Sequence, residues 1–342
     1  MTVADHGLAD MHGHVVPPRF PFGPDDDPRW PVLRVAGDGA TAEVIISGAV
    51  FRVIRSVAWD FGRRREEMRR DGVTLQLVSP MPELFSYWAP DAAAAAYCSA
   101  VNAWVAGQAG DGSGCWAGLG ILPLQDPAAA VAALAEVADL GLVGVEVGSN
   151  VNGVCIADPR FRPVLATAAD LGLLVFVHAF HPAGLDSVGY RAARPAVNFP
   201  LEIAWALQSL IAEGVLAELP GLRLMVSHGG GATALTLGRL QALWEGSAEY
   251  QARLPVSPYD CARRVMYDTL LFDPRAVQYL VEFAGASQVM LGTDYPFGSV
   301  RAGEPLERCP GLDAAGRTAI EHGNAADLIA AIRQGRQKGA RT

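Results

Sequence analysis

The stretch LADMHGHVVPP, residues 8–18, sets His12 and His14 one residue apart at the end of an apolar run. Side chains alternate across a β-strand, so these two imidazoles face one side and can converge on one point. Isolated pairs of this kind occur often by chance, so the reading depends on what else meets them. His178 in VFVHAFHP, His228 in MVSHGGG and Asp294 in LGTDYPF each close a strand-like apolar run elsewhere in the chain. Each alone has an ordinary explanation: a hydrogen-bonded histidine at a strand end, or an aspartate capping a turn. Three neutral imidazoles with one carboxylate and room for water, however, compose a catalytic divalent-cation site, for which zinc is the first choice.

The elements that must position these residues alternate along the chain. Strand-like runs cover residues 8–15, 74–80, 115–123, 144–150, 172–179, 222–228, 264–269 and 289–295. Helical stretches cover 63–71, 91–109, 127–140, 159–171, 200–218, 232–246, 273–284 and 313–333. Such alternation implies parallel pairing, since a parallel neighbour needs a crossover, and eight units of this total length fit an α/β fold of the (β/α)8 TIM-barrel kind. One domain is expected over residues 1–335. The runner-up is an open doubly wound sheet, which lacks support because no G-x-G-x-x-G turn follows the first strand. Barrel active sites lie at the C-terminal strand ends, and four of the chain's 7 histidines fall on that rim. Residues 32–54 interrupt the alternation with short β-like runs separated by Gly-Asp-Gly and Ser-Gly turns. They read as a small β insertion, a flap placed after the first barrel strand.

The whole chain bounds the partners. Of its 342 residues 51% are hydrophobic and 18% charged, which suits a soluble globular protein with a large core. A formal net charge of -9 argues against a nucleic-acid surface. The densest basic cluster, RRREEMRR at 63–70, is broken by Glu66 and Glu67 and reads as a solvated helix face. No apolar run is long enough for a membrane span, and the acidic N-terminus does not resemble a secretory signal. The 5 cysteines are scattered without C-x-x-C pairs, so free thiols and a cytoplasmic location are expected.

Asp-x-His-x-His (Asp10, His12, His14), His178, His228-Gly-Gly-Gly and Gly292-Thr-Asp-Tyr-Pro-Phe297 together resemble the amidohydrolase superfamily. Within it the chain is most similar to the 2-amino-3-carboxymuconate-6-semialdehyde decarboxylases and their relatives. The likeness runs over nearly the whole chain and takes in Phe51-Arg52, Trp59-Asp60, Glu66-Glu67-Met68, Pro123-Leu124-Gln125-Asp126 and Gly238-Arg239. It implies that His12, His14, His178 and Asp294 bind one zinc ion together with a water, with His228 as the unligated acid/base beside it. It also implies that Arg52, from the insertion, and Arg239, from the partner subunit of a homodimer, hold carboxylates of a small anionic substrate. Phe297 shares the motif and is expected against that substrate. The physics is consistent: Zn²⁺ lowers the pKa of bound water towards ~7, and a second imidazole can take the proton. Planar guanidinium forks suit carboxylates.

The chain departs from that family at two places. After His178 it reads Ala179-Phe180-His181-Pro182 in place of Pro-Trp-Asp, so His181 is either a substrate contact or a loop histidine bonded to its surroundings. Glu146 stands on the fourth strand where the decarboxylases usually carry glutamine; it is either an extra ligand or an outer partner of a ligating histidine. The expected activity is a zinc-dependent, non-oxidative decarboxylation of a small unsaturated or aromatic carboxylic acid. The alternatives are a metal-dependent hydrolase of an amide, lactone or ring imide, a hydratase on the same site, and a non-catalytic binding barrel.

Overall fold

Eight strands form one parallel sheet: β1 (Leu8–Val15), β2 (Val73–Pro80), β3 (Trp116–Gly120), β4 (Gly144–Gly148), β5 (Leu174–His178), β6 (Arg223–Val226), β7 (Met266–Asp268) and β8 (Val289–Met290). The structure is a computed structural model and describes residues 7–180, 188–190, 193–298 and 300–339. Most of these strands are buried along their length, as expected where helices cover the outer face and side chains fill the inner one. The ring closes beyond β8. The Met11 N–H donates to the Leu291 carbonyl at 2.7 Å and the His14 N–H to the Tyr295 carbonyl at 2.6 Å. The fold is therefore the expected (β/α)8 barrel, and its C-terminal rim gathers the ends of all eight strands.

The insertion forms a three-stranded antiparallel sheet, Val32–Val35, Thr41–Ile46 and Ala49–Arg55, between β1 and the first helix. Its underside, Ala42, Val44 and Ile54, packs with Val16, Met81 and Leu84, so the sheet rests on the barrel rim by apolar contact. Fully burying such side chains is worth about 1.5–3 kcal/mol apiece for the larger ones. At the opposite end of the barrel Met11, Leu77, Phe176 and Met225 belong to a cluster that includes Ile329 and Ile332 of the last helix, Asn324–Gly339. No described helix is long and apolar enough to cross a membrane.

Several helices are divided or displaced relative to their sequence expectation, and in two the departure is largest. The stretch expected at 200–218 begins at Arg194 and ends at Ala212, with Pro200 inside it and a separate short turn at Val215–Glu218. Proline ordinarily marks a helix start; here the helix runs through it, and the Pro200 carbonyl accepts the Ala232 N–H from a distant element at 3.1 Å. The stretch expected at 313–333 is divided into Ala314–Thr318, a wide turn at Ala319–Gly323, and Asn324–Gly339. The Asn324 side chain accounts for the division, donating to the carbonyls of Ala286 and Val289 at 2.8 and 2.7 Å.

Gly144 at the start of β4 permits a backbone approach that no other residue allows. A Cβ there would lie 2.0 Å from the Leu174 carbonyl oxygen. Gly144→Ala is expected to destabilise the barrel by roughly 3 kcal/mol, because neither strand can move without breaking its ladder. Urea unfolding followed by circular dichroism reads this as a lower midpoint at unchanged slope.

Candidate functional site

The strand ends bring four of the expected residues to one point. His12 and His14 lie on β1, His178 ends β5, and Asp294 follows β8; one ligand atom from each falls within 4.8 Å of the others. The Nε2 atoms of His12 and His14 are 3.2 Å apart, and Asp294 Oδ1 lies 3.0 Å from His14 Nε2 and 3.7 Å from His12 Nε2. All three histidines are buried.

The outer nitrogens fix which atoms face inward. His12 Nδ1 lies 2.7 Å from the Asp268 carboxylate, and His178 Nδ1 lies 2.8 Å from the Ala179 carbonyl. Both of those oxygens only accept, so each Nδ1 carries a proton and each Nε2 is the nitrogen turned to the cluster; on His178, which burial keeps neutral, it carries a lone pair. His178 Nε2 is buried and has no hydrogen-bond partner among the described residues. An orphaned lone pair aimed at two other imidazoles and a carboxylate is an unfavourable arrangement for neutral protein alone. It is the donor set of a divalent transition-metal ion, with each histidine held from behind. The third histidine is backed by Ser79, whose hydroxyl lies 3.2 Å from His14 Nδ1.

Electrostatics follow from burial and from these partners. Burial opposes charge on His12, but the Asp268 hydrogen bond and carboxylate, with Asp294 and Glu146 adding, outweigh it and raise the group to about 9. Burial drives His178 well below the ordinary imidazole value, and its histidine neighbours push the same way. Burial also lowers His228 to about 4, against the pull of the Asp268 charge.

His228 stands beside the cluster, outside the four converging donors. Its ring centroid is 5.1 Å from that of His178 and 5.7 Å from that of His12. Its Nδ1 lies 2.7 Å from the Ser227 hydroxyl. The loop that carries it is held from two sides. Asp268 accepts the backbone N–H of His228 at 2.9 Å and that of Gly229 at 2.7 Å, while a Cβ on Gly231 would come within 1.9 Å of the Pro200 carbonyl. His228 and Asp294 both adopt left-handed backbone, φ 55 and 59, a region that non-glycine residues seldom occupy.

A polar network beneath the cluster locks β1 against the segment that carries Asp294. Asp10 accepts from the Thr293 N–H at 3.1 Å, the Thr293 hydroxyl at 2.7 Å and the Gln76 side chain at 2.7 Å. The fully buried Arg64 donates to Gln76 and to the His14 carbonyl and lies 4.6 Å over the Tyr295 ring. Tyr295 in turn donates its hydroxyl to Glu67 at 2.6 Å.

The amidohydrolase family model matches residues 9–330 of this chain. The chain belongs to the amidohydrolase family. Among its relatives is the 2-amino-3-carboxymuconate-6-semialdehyde decarboxylase of Dictyostelium discoideum, 30% identical over 94% of this chain and 90% of the relative. Two solved structures share the fold. One is 5-carboxyvanillate decarboxylase from Sphingomonas paucimobilis, with TM-score 0.79 and 22% identity, covering 95% of this chain and 99% of that one. The other is a dihydroxybenzoic acid decarboxylase from Polaromonas sp. JS666 with bound manganese and the inhibitor 2-nitroresorcinol, with TM-score 0.76 and 20% identity, covering 95% and 97%.

In this amidohydrolase a cavity of about 360 Å³ opens onto the cluster, with His14, His178 and Asp294 in its wall. Arg52 and Phe297 line it too. The Arg52 guanidinium lies 4.5 Å over the Phe297 ring, and that ring lies nearly parallel to His14, centroids 5.9 Å apart. Arg194, on the first turn of its helix, also lines the cavity, and its Nε donates to the Val188 carbonyl at 2.8 Å. Arg239 is not brought to the cavity within one chain; it lies exposed on helix Gly238–Glu245. His181 lies outside the described residues. Glu146 is absent from the converging donors. Its carboxylate is fully buried, with the Ser79 hydroxyl as its nearest donor and no well-formed hydrogen bond among the described residues, 3.9 Å from the Nδ1 of His14, which is the side turned away from the cluster. Burial raises its pKa well above the ordinary carboxylate value.

Sequence reasoning passed over Asp268, which holds His12 and the His228 loop at once. A signal existed: Asp268 ends β7 on the same rim as the other five residues. Its strand is legible in the sequence, but the run continues past it and does not set its carboxylate apart. Arg64 sits in a basic cluster whose sequence reads as a solvated face. Nothing in a run of arginines tells which one turns inward.

Proposed function

We propose that this amidohydrolase is a metal-dependent, non-oxidative decarboxylase of a small unsaturated or aromatic carboxylic acid, with His12, His14, His178 and Asp294 as ligands of one zinc ion. The observation that carries the reading is the buried convergence of these four donors within 4.8 Å, at the floor of a cavity that also holds a guanidinium. The 30% identical relative named as a decarboxylase supports the reaction class. The manganese in the Polaromonas neighbour supports a divalent ion in this fold, and elemental analysis of the purified protein distinguishes the two metals.

A divalent cation at these donors supplies Lewis acidity, drawing electron density out of the conjugated acid. The bond from carbon to the departing carboxylate breaks, its electron pair enters the conjugated system, CO₂ leaves and the carbon takes a proton. His228 is placed to move that proton. It is neutral at pH 7, beside the cluster, and fixed in orientation through Ser227. Arg52 pairs with a carboxylate of the bound acid and Phe297 lies flat against its conjugated portion. Glu146 serves as an outer partner of His14, and the insertion covers the cavity as a flap.

Arg52→Ala is expected to raise KM by about 10- to 100-fold with little change in kcat, the signature of lost uniform binding to a charged group. Arg52→Lys restores only part of it, because an ammonium cannot present the planar fork. Steady-state kinetics with the best acid substrate checks both.

A homodimer fits the same reading. Val197, Leu201 and Trp205 recur every four residues on one exposed helix face, and Leu235 and Leu243 flank Arg239 with the same spacing. An apolar surface of this kind around Arg239 supports its reaching the cavity of a partner subunit. The 5 unpaired cysteines support a reducing, cytoplasmic location.

A carboxyl-¹³C-labelled acid tests the reaction class. One labelled CO₂ per turnover is expected, with no solvent ¹⁸O in the product. Uptake of ¹⁸O into a new carboxyl without CO₂ release would make the protein a hydrolase.

A further inference from the structure

A second cavity, of about 440 Å³, adjoins the first on the C-terminal rim. The two share Phe51, Glu83 and Phe180 in their linings. Their chemistry differs. The first holds the ligand cluster and the guanidinium of Arg52, whereas the second has none of the cluster residues and is lined by Ser86, Asn150, Asn152 and Trp88. Two hairpin tips overhang it, Ser47–Gly48 of the insertion and Asn152–Gly153, both with left-handed backbone.

Glu83 lies on the common wall, in the short helical turn Pro82–Leu84 just after β2. Among the described residues it is, apart from Asp294 at the cluster, the only acid in either lining. It makes no ion pair within 4.0 Å among the described residues; Arg52, across the first cavity, is the one cation that acts on it. A partly buried carboxylate facing a cavity, held by its own backbone N–H and without an ion pair, discriminates strongly between ligands. A group that donates to it recovers the lost hydration, and an apolar isostere strands it.

We propose that Glu83 is a specificity-determining residue: its carboxylate accepts a hydrogen bond from an amino or hydroxyl group borne by the acid whose carboxylate occupies the first cavity. The second cavity then receives the donor-bearing end of the molecule. The substrate class is an unsaturated or aromatic acid with a hydrogen-bond donor remote from its carboxylate, and acids with only apolar substituents are disfavoured. This rests on the decarboxylase reading for the orientation of the acid.

The test is calorimetric binding of 3- and 4-substituted benzoates to the metal-loaded protein, comparing hydroxyl and amino substituents with the nearly isosteric methyl. The wild type is expected to bind the best donor-bearing acid at least ~10-fold more tightly than its methyl counterpart. Glu83→Leu brings the two within about 2-fold, and Glu83→Gln, whose amide oxygen still accepts, keeps part of the preference. A wild type without the preference, including one that binds none of the acids, overturns the proposal. So does a Glu83→Leu chain that keeps the preference, or, if that chain does not fold, a Glu83→Gln chain with the full wild-type ratio. Failure of the decarboxylase reading shows separately, as the absence of labelled CO₂ from every acid while the binding preference and its loss in the variants persist.

Discussion

His228→Gln is expected to keep its metal and lose turnover, with kcat falling by about 10²- to 10⁴-fold, the range a positioned proton carrier contributes. Glutamine retains the size and hydrogen-bonding of the side chain but cannot take up a proton. The four converging donors are untouched by it, since His228 is outside them. Metal content measured beside kcat separates loss of a proton carrier from loss of the ion. Burial holds the imidazole at about 4, so it is unprotonated through the neutral range. Because its pKa is lowered, protonation sets in only as the pH falls toward that value. The pH profile of kcat/KM should accordingly show no break from His228 near 6.5, where a solvated histidine would titrate. An acid limb centred there that disappears in His228→Gln would contradict the burial argument.

Asp268→Asn is expected to weaken metal affinity by about 10- to 100-fold, the usual consequence of removing the carboxylate behind a ligating histidine. Four hydrogen bonds are at stake, one of them from the Leu270 N–H at 3.0 Å. Asp268 holds His12 Nδ1 at 2.7 Å and accepts the backbone N–H groups of His228 and Gly229. The amide can still accept, but with one oxygen and no charge, so His12 loses the partner that makes its inner nitrogen a strong donor. Competition titration with a chelator of known affinity gives the constant. Stripping the ion completely from the wild type should abolish turnover, and readdition should restore it. If Asp268→Asn matches the wild type in affinity and its stripped form still turns over, the metal assignment fails.

The alternation of apolar runs was enough to place all eight strands within a few residues, because a parallel sheet buried on both faces leaves an unmistakable signature in Val, Leu and Met. It was also enough to bring His12, His14, His178 and Asp294 to one rim, since a strand's C-terminal end is legible from where its apolar run stops. What was not legible depended on inward or outward choice. Arg64 and its neighbours Arg63 and Arg65 look alike in the sequence, yet Arg64 alone is fully buried beneath the site. Asp268 was hidden because the strand-like run in the sequence continues past it to residue 269 while the strand itself stops there, and Glu83 by lying in a turn whose direction only the folded rim defines. Pro200 misled for the opposite reason. Its local meaning is clear, but the helix runs through it, and the Ala232 contact to its carbonyl comes from a distant element.

His228 keeps a backbone conformation, φ 55, in which an imidazole-bearing residue costs on the order of 1–3 kcal/mol relative to a relaxed one. Glycine would occupy that corner of conformational space without penalty. Drift governed by foldedness alone would thus wear the histidine away. Foldedness alone therefore gives no reason for a histidine in this corner, and the strain is a cost set against the chemistry of the imidazole at this one position.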